Sequence, residues 1–161
     1  MEPQMIRKLD KKVFVGSDHA GFGLKKKVLK YLSNKNIKHE DVGPHKYDGS
    51  DDYPDYGFRV AEKVSKGFGE GILICMMSGG MTIVANKVKG VRALPCTTIK
   101  ESKFARIHNN ANVIILAALK FKNQQKLHGV LDTWFNTKWS EVERHSRRLK
   151  KISDYENKHF K

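Results

Sequence analysis

Short apolar segments alternate with amphipathic segments along this chain, and that alternation restricts the fold more than any other feature. Lys12 to Gly16, Gly71 to Cys75 and Asn112 to Ala118 are rich in Val, Ile and Leu, which is typical of strands buried on both faces. Between such segments apolar residues recur at helical spacing, as at Leu24 and Val28. Strands that alternate with helices form right-handed βαβ units, so we predict a three-layer Rossmann-like α/β fold with a five-stranded, mainly parallel sheet.

The same pattern predicts the remaining elements. Further strands are expected at 37–42 and 91–95. Helices are expected from about Leu24 to near Asn34, from Pro54 to before Gly67, at 81–88, at 100–108, after Asn123, and at 141–155. In the first helix Lys25, Lys26, Lys27 and Lys30 are predicted to face water. The last helix carries few apolar residues, so we expect it to pack on a partner subunit.

With 161 residues the chain has the length of one domain, 1–161. We predict a flexible N-terminus at 1–11 and a basic C-terminal helix and tail at 138–161. The longest apolar run, Val113 to Leu119, is too short to cross a bilayer, so no membrane association is expected. Two cysteines without metal-ligand spacing predict neither disulfide scaffold nor metal site and favour a reducing cytoplasm.

The net charge of +14 is spread over several segments and is not concentrated in one tail. A positive field of this kind attracts phosphorylated anions. The chain shows no helix-turn-helix, zinc-finger or aromatic-basic signature, so nucleic acid is not an expected partner.

Polar residues follow several of the predicted strands. Asp18 and His19 follow the first strand, Cys75 ends the third, and the fourth βα unit ends at His108 and Asn109. Ligands of parallel sheets bind beyond the carboxyl ends of the strands, so we expect a cationic pocket for a small phosphate ester at this edge. A structural interpretation stays open, in which Asp18 caps a helix start and the His-Asn pair closes a helix end.

Two further groups carry possible chemistry. Cys75 is followed by a helix, whose N-terminal N–H groups are expected to lower the thiol pKa, although a buried and inert cysteine is the alternative. Cys96 is interpreted as structural. Arg144 and Arg148 lie one helical turn apart, which suits a shared phosphate, although a solvated helix face has the same pattern.

Several motifs occur in the order of a known family. They are Gly16 to Gly21 (GSDHAG), Asp52 to Tyr56 (DYPDY), Gly71 to Cys75 (GILIC), Ala85 to Ala93 (ANKVKGVRA), Ala105 to Asn112 (ARIHNNAN) and Arg144 to Arg148 (RHSRR). With these motifs, over residues 12–153, the chain resembles the family that contains type B ribose-5-phosphate isomerases and the galactose-6-phosphate isomerase subunits.

The resemblance implies an aldose-ketose isomerase of the pentose phosphate pathway that interconverts ribose 5-phosphate and ribulose 5-phosphate through an enediolate, without metal or cofactor. By the same resemblance Cys75 is the base that moves a proton between C1 and C2, and His108 opens the sugar ring. Asp18 and Asn109 would bind sugar hydroxyls and the ring oxygen.

The resemblance also assigns the remaining site residues. His19, Arg144 and Arg148 would hold the phosphate, and the backbone N–H groups of the loop after Cys75, at Ser78, Gly79 and Gly80, would stabilise the enediolate. The implied assembly is a homodimer or homotetramer with sites that use residues from both subunits.

The loop after Cys75 departs from the family pattern. Met76-Met77-Ser78-Gly79-Gly80 stands where Gly-Thr-Gly-x-Gly is usual, so any loop position that needs a positive φ now carries a steric cost. Leu119, followed by Lys120, stands where the family has an arginine. Two functions stay open: the isomerase itself, and a sugar-phosphate-binding or regulatory subunit with weak or no turnover, possible also within a hetero-oligomer.

Overall fold

A computed structural model describes residues 11–160, so the predicted flexible N-terminus lies outside the described residues except for Lys11. The strands are β1 (Lys12–Ser17), β2 (His39–Gly43), β3 (Gly69–Cys75), β4 (Ala93–Pro95) and β5 (Val113–Ala117). The helices are α1 (Phe22–Asn34), α2 (Tyr53–Ser65), α3 (Gly79–Ala85), α4 (Ile99–Asn109), α5 (Gln124–Asn136) and α6 (Glu143–His159), with a 3₁₀ turn at Ala118–Lys120. This alternation confirms the predicted fold class.

The five strands form one parallel sheet in the order β2-β1-β3-β5-β4. From β1 the chain builds outward to β2, and it then crosses to the other side of β1 to form β3. The crevice between the carboxyl ends of β1 and β3 is therefore the topological switch point, where ligands of such sheets bind. Ser17 pairs with Ile74 there, and Cys75 pairs with Ala117 of β5.

Apolar side chains cover both faces of the sheet. One face packs against α1, α4 and α5, with Val28 and Trp134 fully buried. The other packs against α2 and α3, with Val60 and Met81 fully buried. Burial on both faces explains why the central strands are continuous apolar runs and not alternating ones.

The lysine-rich α1 differs from its prediction at one position. Lys26, Lys27 and Lys30 are exposed as expected, but Lys25 is buried. The Lys25 ammonium donates to Asp41 (2.7 Å) and to the Pro44 carbonyl. A buried ammonium requires such partners. Asp41 lies in β2 and Pro44 follows it, and the spacing of apolar residues in α1 does not reveal either contact.

Little of the C-terminal helix α6 is buried. His145 is its one buried residue, and Val142, Ile152 and Tyr155 expose apolar side chains. A cavity of about 430 Å³ lies between α6 and the start of β4. Among residues 11–160, no helix has both the length and the apolar character that crossing a bilayer requires.

Candidate active site

The first group of predicted site residues lies at the carboxyl edge of β1 and β3. Because Ser17 pairs with Ile74, the next residues, Asp18 and Cys75, leave neighbouring strands side by side. The Asp18 amide donates to the Ile74 carbonyl (3.2 Å) and fixes this arrangement. The position after each strand therefore located these two residues correctly.

Asp18 has the structural role considered from the sequence, and it also lies beside Cys75. Its Oδ1 accepts the amide of Gly21 (2.8 Å), the residue before α1, so the carboxylate shapes the turn into that helix. Asp18 is also buried, and burial raises its pKa, while the bond from Gly21 and the charge of His19 act in the opposite direction. The carboxylate is held close to Cys75, and its charge acts on that thiol.

His19 lies at the mouth of this group, with 36% of its side chain exposed. Its Nδ1 is 2.6 Å from Oδ1 of Asp51, and its backbone N–H donates to the same oxygen (3.0 Å). Asp51 was not among the predicted site residues. It belongs to an irregular loop rich in Asp, Gly and Ser, where periodicity gives no side-chain direction.

The Cys75 sulphur lies at the floor of the crevice, in a residue that is 6% exposed. The Ser78 amide donates to Sγ (3.1 Å), and the amides of Met81 and Met77 also lower the thiol pKa. Burial outweighs these bonds, and the Asp18 charge adds to it, so the pKa of Cys75 is raised. The predicted lowering of this pKa is wrong, although the N–H groups do point at the sulphur.

The loop after Cys75 carries the predicted steric cost at one residue. Ser78 has φ 71°, in the left-handed region, whereas Met76 has no positive φ. Gly79 and Gly80 begin α3, and a Cβ on Gly80 would lie 2.8 Å from the ring of Tyr53. A side chain at position 80 would therefore require the partly exposed Tyr53 ring of α2 to move.

Leu119 and Lys120 border the same loop. The Leu119 amide lies 3.4 Å from the Met76 carbonyl. The side chains of Leu119 and Met76 are both exposed. Leu119 is 51% exposed and Met77 is 61% exposed, so two apolar side chains of this region face solvent. A lone apolar side chain at position 119 offers no donor to a phosphate.

His108 and Asn109 lie at the opposite edge of the sheet, which corrects the expectation of a single edge. They end α4, which runs back to the start of β5, and Arg92 before β4 donates to the Asn109 carbonyl (3.1 Å). The β5 residue Val113 pairs with Gly71, at the beginning of β3. Four residues of strand separate Gly71 from Cys75, about 13 Å of rise. A helix in a βαβ unit always returns to the amino edge, so its end cannot meet the carboxyl edge of its own chain.

The amino edge also contains the basic residues of α6. The imidazole of His145 lies 4.8 Å from that of His108, between ring centroids, and His108 stacks on Phe104. Ser140 Oγ donates to the Ile107 carbonyl (2.8 Å) and therefore accepts from His145 Nδ1–H (2.9 Å). His145 Nε2 is left to accept from Arg144 Nε (3.3 Å).

This chain of hydrogen bonds fixes His145 in its neutral form. Burial lowers its pKa, and electrostatic interactions with His108, Arg144 and Arg148 act in the same direction. Arg144 and Arg148 are both exposed, so their guanidinium groups are free to face a ligand from outside the chain. The structure thus brings the ten predicted site residues into two groups and not one.

No three His, Cys, Asp or Glu side chains among residues 11–160 are arranged to hold a metal ion. The carboxyl-edge group instead offers a thiol, a carboxylate and an imidazole at the switch point of a parallel sheet. Fold and site together define an α/β protein with a small-molecule site and an ionisable thiol at its floor.

Comparison with known proteins identifies the family. The family described as Ribose/Galactose Isomerase matches residues 13–152, and the chain belongs to it. The chain is 40% identical over 146 residues to the probable ribose-5-phosphate isomerase B of Mycoplasma genitalium, covering 89% of this chain and 95% of that protein.

Solved structures agree with the assignment. The crystal structure of Mycoplasma genitalium ribose-5-phosphate isomerase B with bound ribulose-5-phosphate has a TM-score of 0.87 at 38% identity, over 93% of this chain and 99% of that one. The ribose 5-phosphate isomerase of Thermotoga maritima has a TM-score of 0.84 at 37% identity, over 91% and 99%.

Proposed function

We propose that this protein interconverts ribose 5-phosphate and ribulose 5-phosphate, with Cys75 as the base and without a metal or cofactor. The observation that carries the proposal is the Cys75 sulphur at the switch point, beside Asp18. The supporting comparison is the 38% identity to a structure described with bound ribulose-5-phosphate.

The reaction needs one group that takes and returns a proton. In the open-chain aldose, the Cys75 thiolate removes the C2 proton, and the electron pair moves to O1 to form the enediolate. The thiol then protonates C1 while the O2 proton passes to O1, so C2 becomes the ketone carbonyl. Atoms and electrons balance without a redox partner. First-turn N–H groups of α3, at Gly79 and Gly80, would stabilise the anionic oxygen.

We also propose that each site is shared between two copies of the chain in a homodimer. His108 and Asn109 would open the ring and bind the sugar, and Arg144 and Arg148 would hold the phosphate together with His19 of the facing subunit. The separation of the two groups within one chain supports this, since neither group alone offers both the base and the arginines. The exposed apolar side of α6 provides surface for such packing.

A shared site also addresses the raised pKa of Cys75. Cationic side chains from the partner subunit would favour the thiolate and lower that pKa once the site is assembled. Both cysteines are free, which fits a protein kept in the reducing cytoplasm, where we place it.

The test is solvent exchange at the sugar. Incubated with ribose 5-phosphate in D₂O, the wild-type protein should place deuterium at C2 of the aldose or C1 of the ketose, followed by NMR. Cys75→Ala should abolish exchange by removing the base, a loss of at least about 10³-fold. Cys96→Ala is the matched control, because Cys96 is fully buried in the opposite face of the core.

The alternative has a specific observation in its favour, the unusual loop with Ser78 at positive φ. If calorimetry shows ribose 5-phosphate binding while concentrated wild-type protein gives no exchange, the protein is a sugar-phosphate-binding member of the family. Exchange that appears only on co-expression with a paralogous chain would indicate a hetero-oligomer.

A further inference from the structure

The loop before α2 places a buried carboxylate directly behind His19. The Asp51 side chain is 4% exposed, although it belongs to a surface loop. Its Oδ1 receives both the backbone N–H and the ring Nδ1 of His19, at 3.0 and 2.6 Å. Its Oδ2 is buried and has no hydrogen-bond partner among residues 11–160. Both hydrogen bonds to Oδ1 therefore come from His19.

The contact determines which ring nitrogen is free. A carboxylate can only accept, so the proton of the 2.6 Å bond belongs to Nδ1. Nε2 then points away from Asp51 into the exposed part of the residue. With a second proton on Nε2, the ring is an imidazolium with a second N–H on the side away from Asp51.

The surrounding charges favour that protonation. The hydrogen bond to Asp51 raises the pKa of His19 most, the charges of Asp51, Asp18 and Asp48 add to the rise, and desolvation opposes it. These three carboxylates come from the turn after β1 and from the loop before α2, the two segments that border the ring.

We propose that Asp51 is a positioning residue that holds His19 as an imidazolium with Nε2–H directed at the substrate phosphate. The inference rests on the proposed function, since the phosphate ester is the ligand named there. A structural hydrogen bond alone would be satisfied by an amide at position 51, whereas this role requires the charge. Asp51 acts on binding and not on the proton transfer at Cys75.

The decisive variant is Asp51→Asn, which keeps the acceptor oxygen and removes the charge. Its His19 pKa should fall toward the ordinary value of about 6.5, so at pH 8 KM for ribose 5-phosphate should rise about tenfold with kcat nearly unchanged. At pH 6 the ratio of variant to wild-type KM should approach one, because the ring is then protonated in both proteins. Titration of the substrate phosphate cancels in that ratio.

Two controls separate this role from a structural one. Asp52→Asn, at the adjacent exposed carboxylate, should leave KM unchanged at both pH values. In a His19→Gln background, Asp51→Asn should have no further effect on KM, since the residue acts through the ring. An equal KM effect at pH 6 and pH 8, or additive effects in the double variant, would overturn the inference.

A measurement without turnover distinguishes this inference from the proposed function. NMR titration of the His19 ring, assigned with His19→Gln, should give a pKa above 6.5 in the wild type and a lower one in Asp51→Asn. If the wild type does not turn over, the proposed function fails while this titration still tests the contact. If the titration is the same in both proteins, the inference fails even when the enzyme is active.

Discussion

Burial and backbone hydrogen bonds act in opposite directions on the Cys75 thiol. Removal from water and the neighbouring Asp18 charge favour the thiol. They outweigh three amides that favour the thiolate, those of Met77 and Ser78 in the loop and of Met81 in α3. The Asp18 charge therefore disfavours the thiolate form of Cys75. Under the proposed function, the same residue binds the sugar.

Asp18→Asn should lower the pKa of Cys75. The variant keeps an oxygen that accepts the Gly21 amide, so the turn into α1 is preserved, and it removes the repelling charge. We expect alkylation of Cys75 by iodoacetamide at pH 7.5 to become about threefold faster, because a larger fraction of the thiol is then ionised. Peptide mass spectrometry over a time course measures the rate.

Cys96 provides the internal control for this measurement. It is fully buried, and burial raises its pKa to about 12, so it should remain unlabelled in both proteins. Asp48→Asn removes a charge from the nearby exposed loop and should leave the Cys75 rate unchanged. An unchanged or slower rate in Asp18→Asn would show that the carboxylate does not hold the thiol protonated.

For single residues, the sequence predicted the place of a residue in the fold better than it predicted the partners of its side chain. Asp18 and Cys75 could be placed because each follows a recognisable strand, and the strand register then makes them neighbours. The position of Asp51 could not be predicted in this way, because the direction of its side chain depends on how an irregular loop folds onto the turn after β1. The buried Lys25 is a similar case, since its partners come from a segment whose path the spacing in α1 does not contain.

Among the elements, the loop from Cys75 into α3 carries the strain. Ser78 is held at φ 71° so that its amide reaches the sulphur and α3 can begin at Gly79. A residue with a Cβ in the left-handed region costs about 1–2 kcal/mol, which glycine avoids.

Ser78→Gly should therefore stabilise the protein by up to about 1 kcal/mol, since the greater freedom of glycine when unfolded offsets part of the relief. For a chain of this length the unfolding midpoint should rise by roughly 3 °C, measured by calorimetry. Ser78→Ala, which keeps the Cβ, should give no such increase. A glycine variant that is less stable than wild type would show that the serine hydroxyl contributes more than the strain costs.

The order of the helices and strands was predictable from the sequence. The edge of the sheet at which each site residue lies could have been predicted from that order. A helix that follows a strand must return to the amino edge, so the end of α4 at His108 could have been placed away from Cys75 from the sequence. What the sequence could not supply is the hydrogen-bond chain from Ile107 through Ser140 to His145, which depends on where α6 docks.

In the whole molecule the residues proposed for the site lie at both edges of the sheet. The carboxyl edge has the thiol and His19, and the amino edge has His108 and the two arginines. The periodicity and order of residues along the chain predicted the fold class and the motifs. The separation of the site residues between the two edges results from the topology of the sheet. If the proposal is correct, a two-fold axis brings the edge of one chain against the opposite edge of the other, and both sites are completed by one isologous contact.

Mixing two inactive variants tests this arrangement directly. Cys75→Ala and His108→Ala each remove one side of every shared site, so each homodimer should be inactive. In a heterodimer one site combines both substitutions, but the other combines an intact Cys75 with an intact His108. Random co-assembly, with half the dimers mixed and one working site in each, should restore about a quarter of wild-type activity. Differently tagged chains, co-expressed and purified through both tags, should restore about half. Sites built within single chains would give no recovery in either preparation, since no chain then retains both groups.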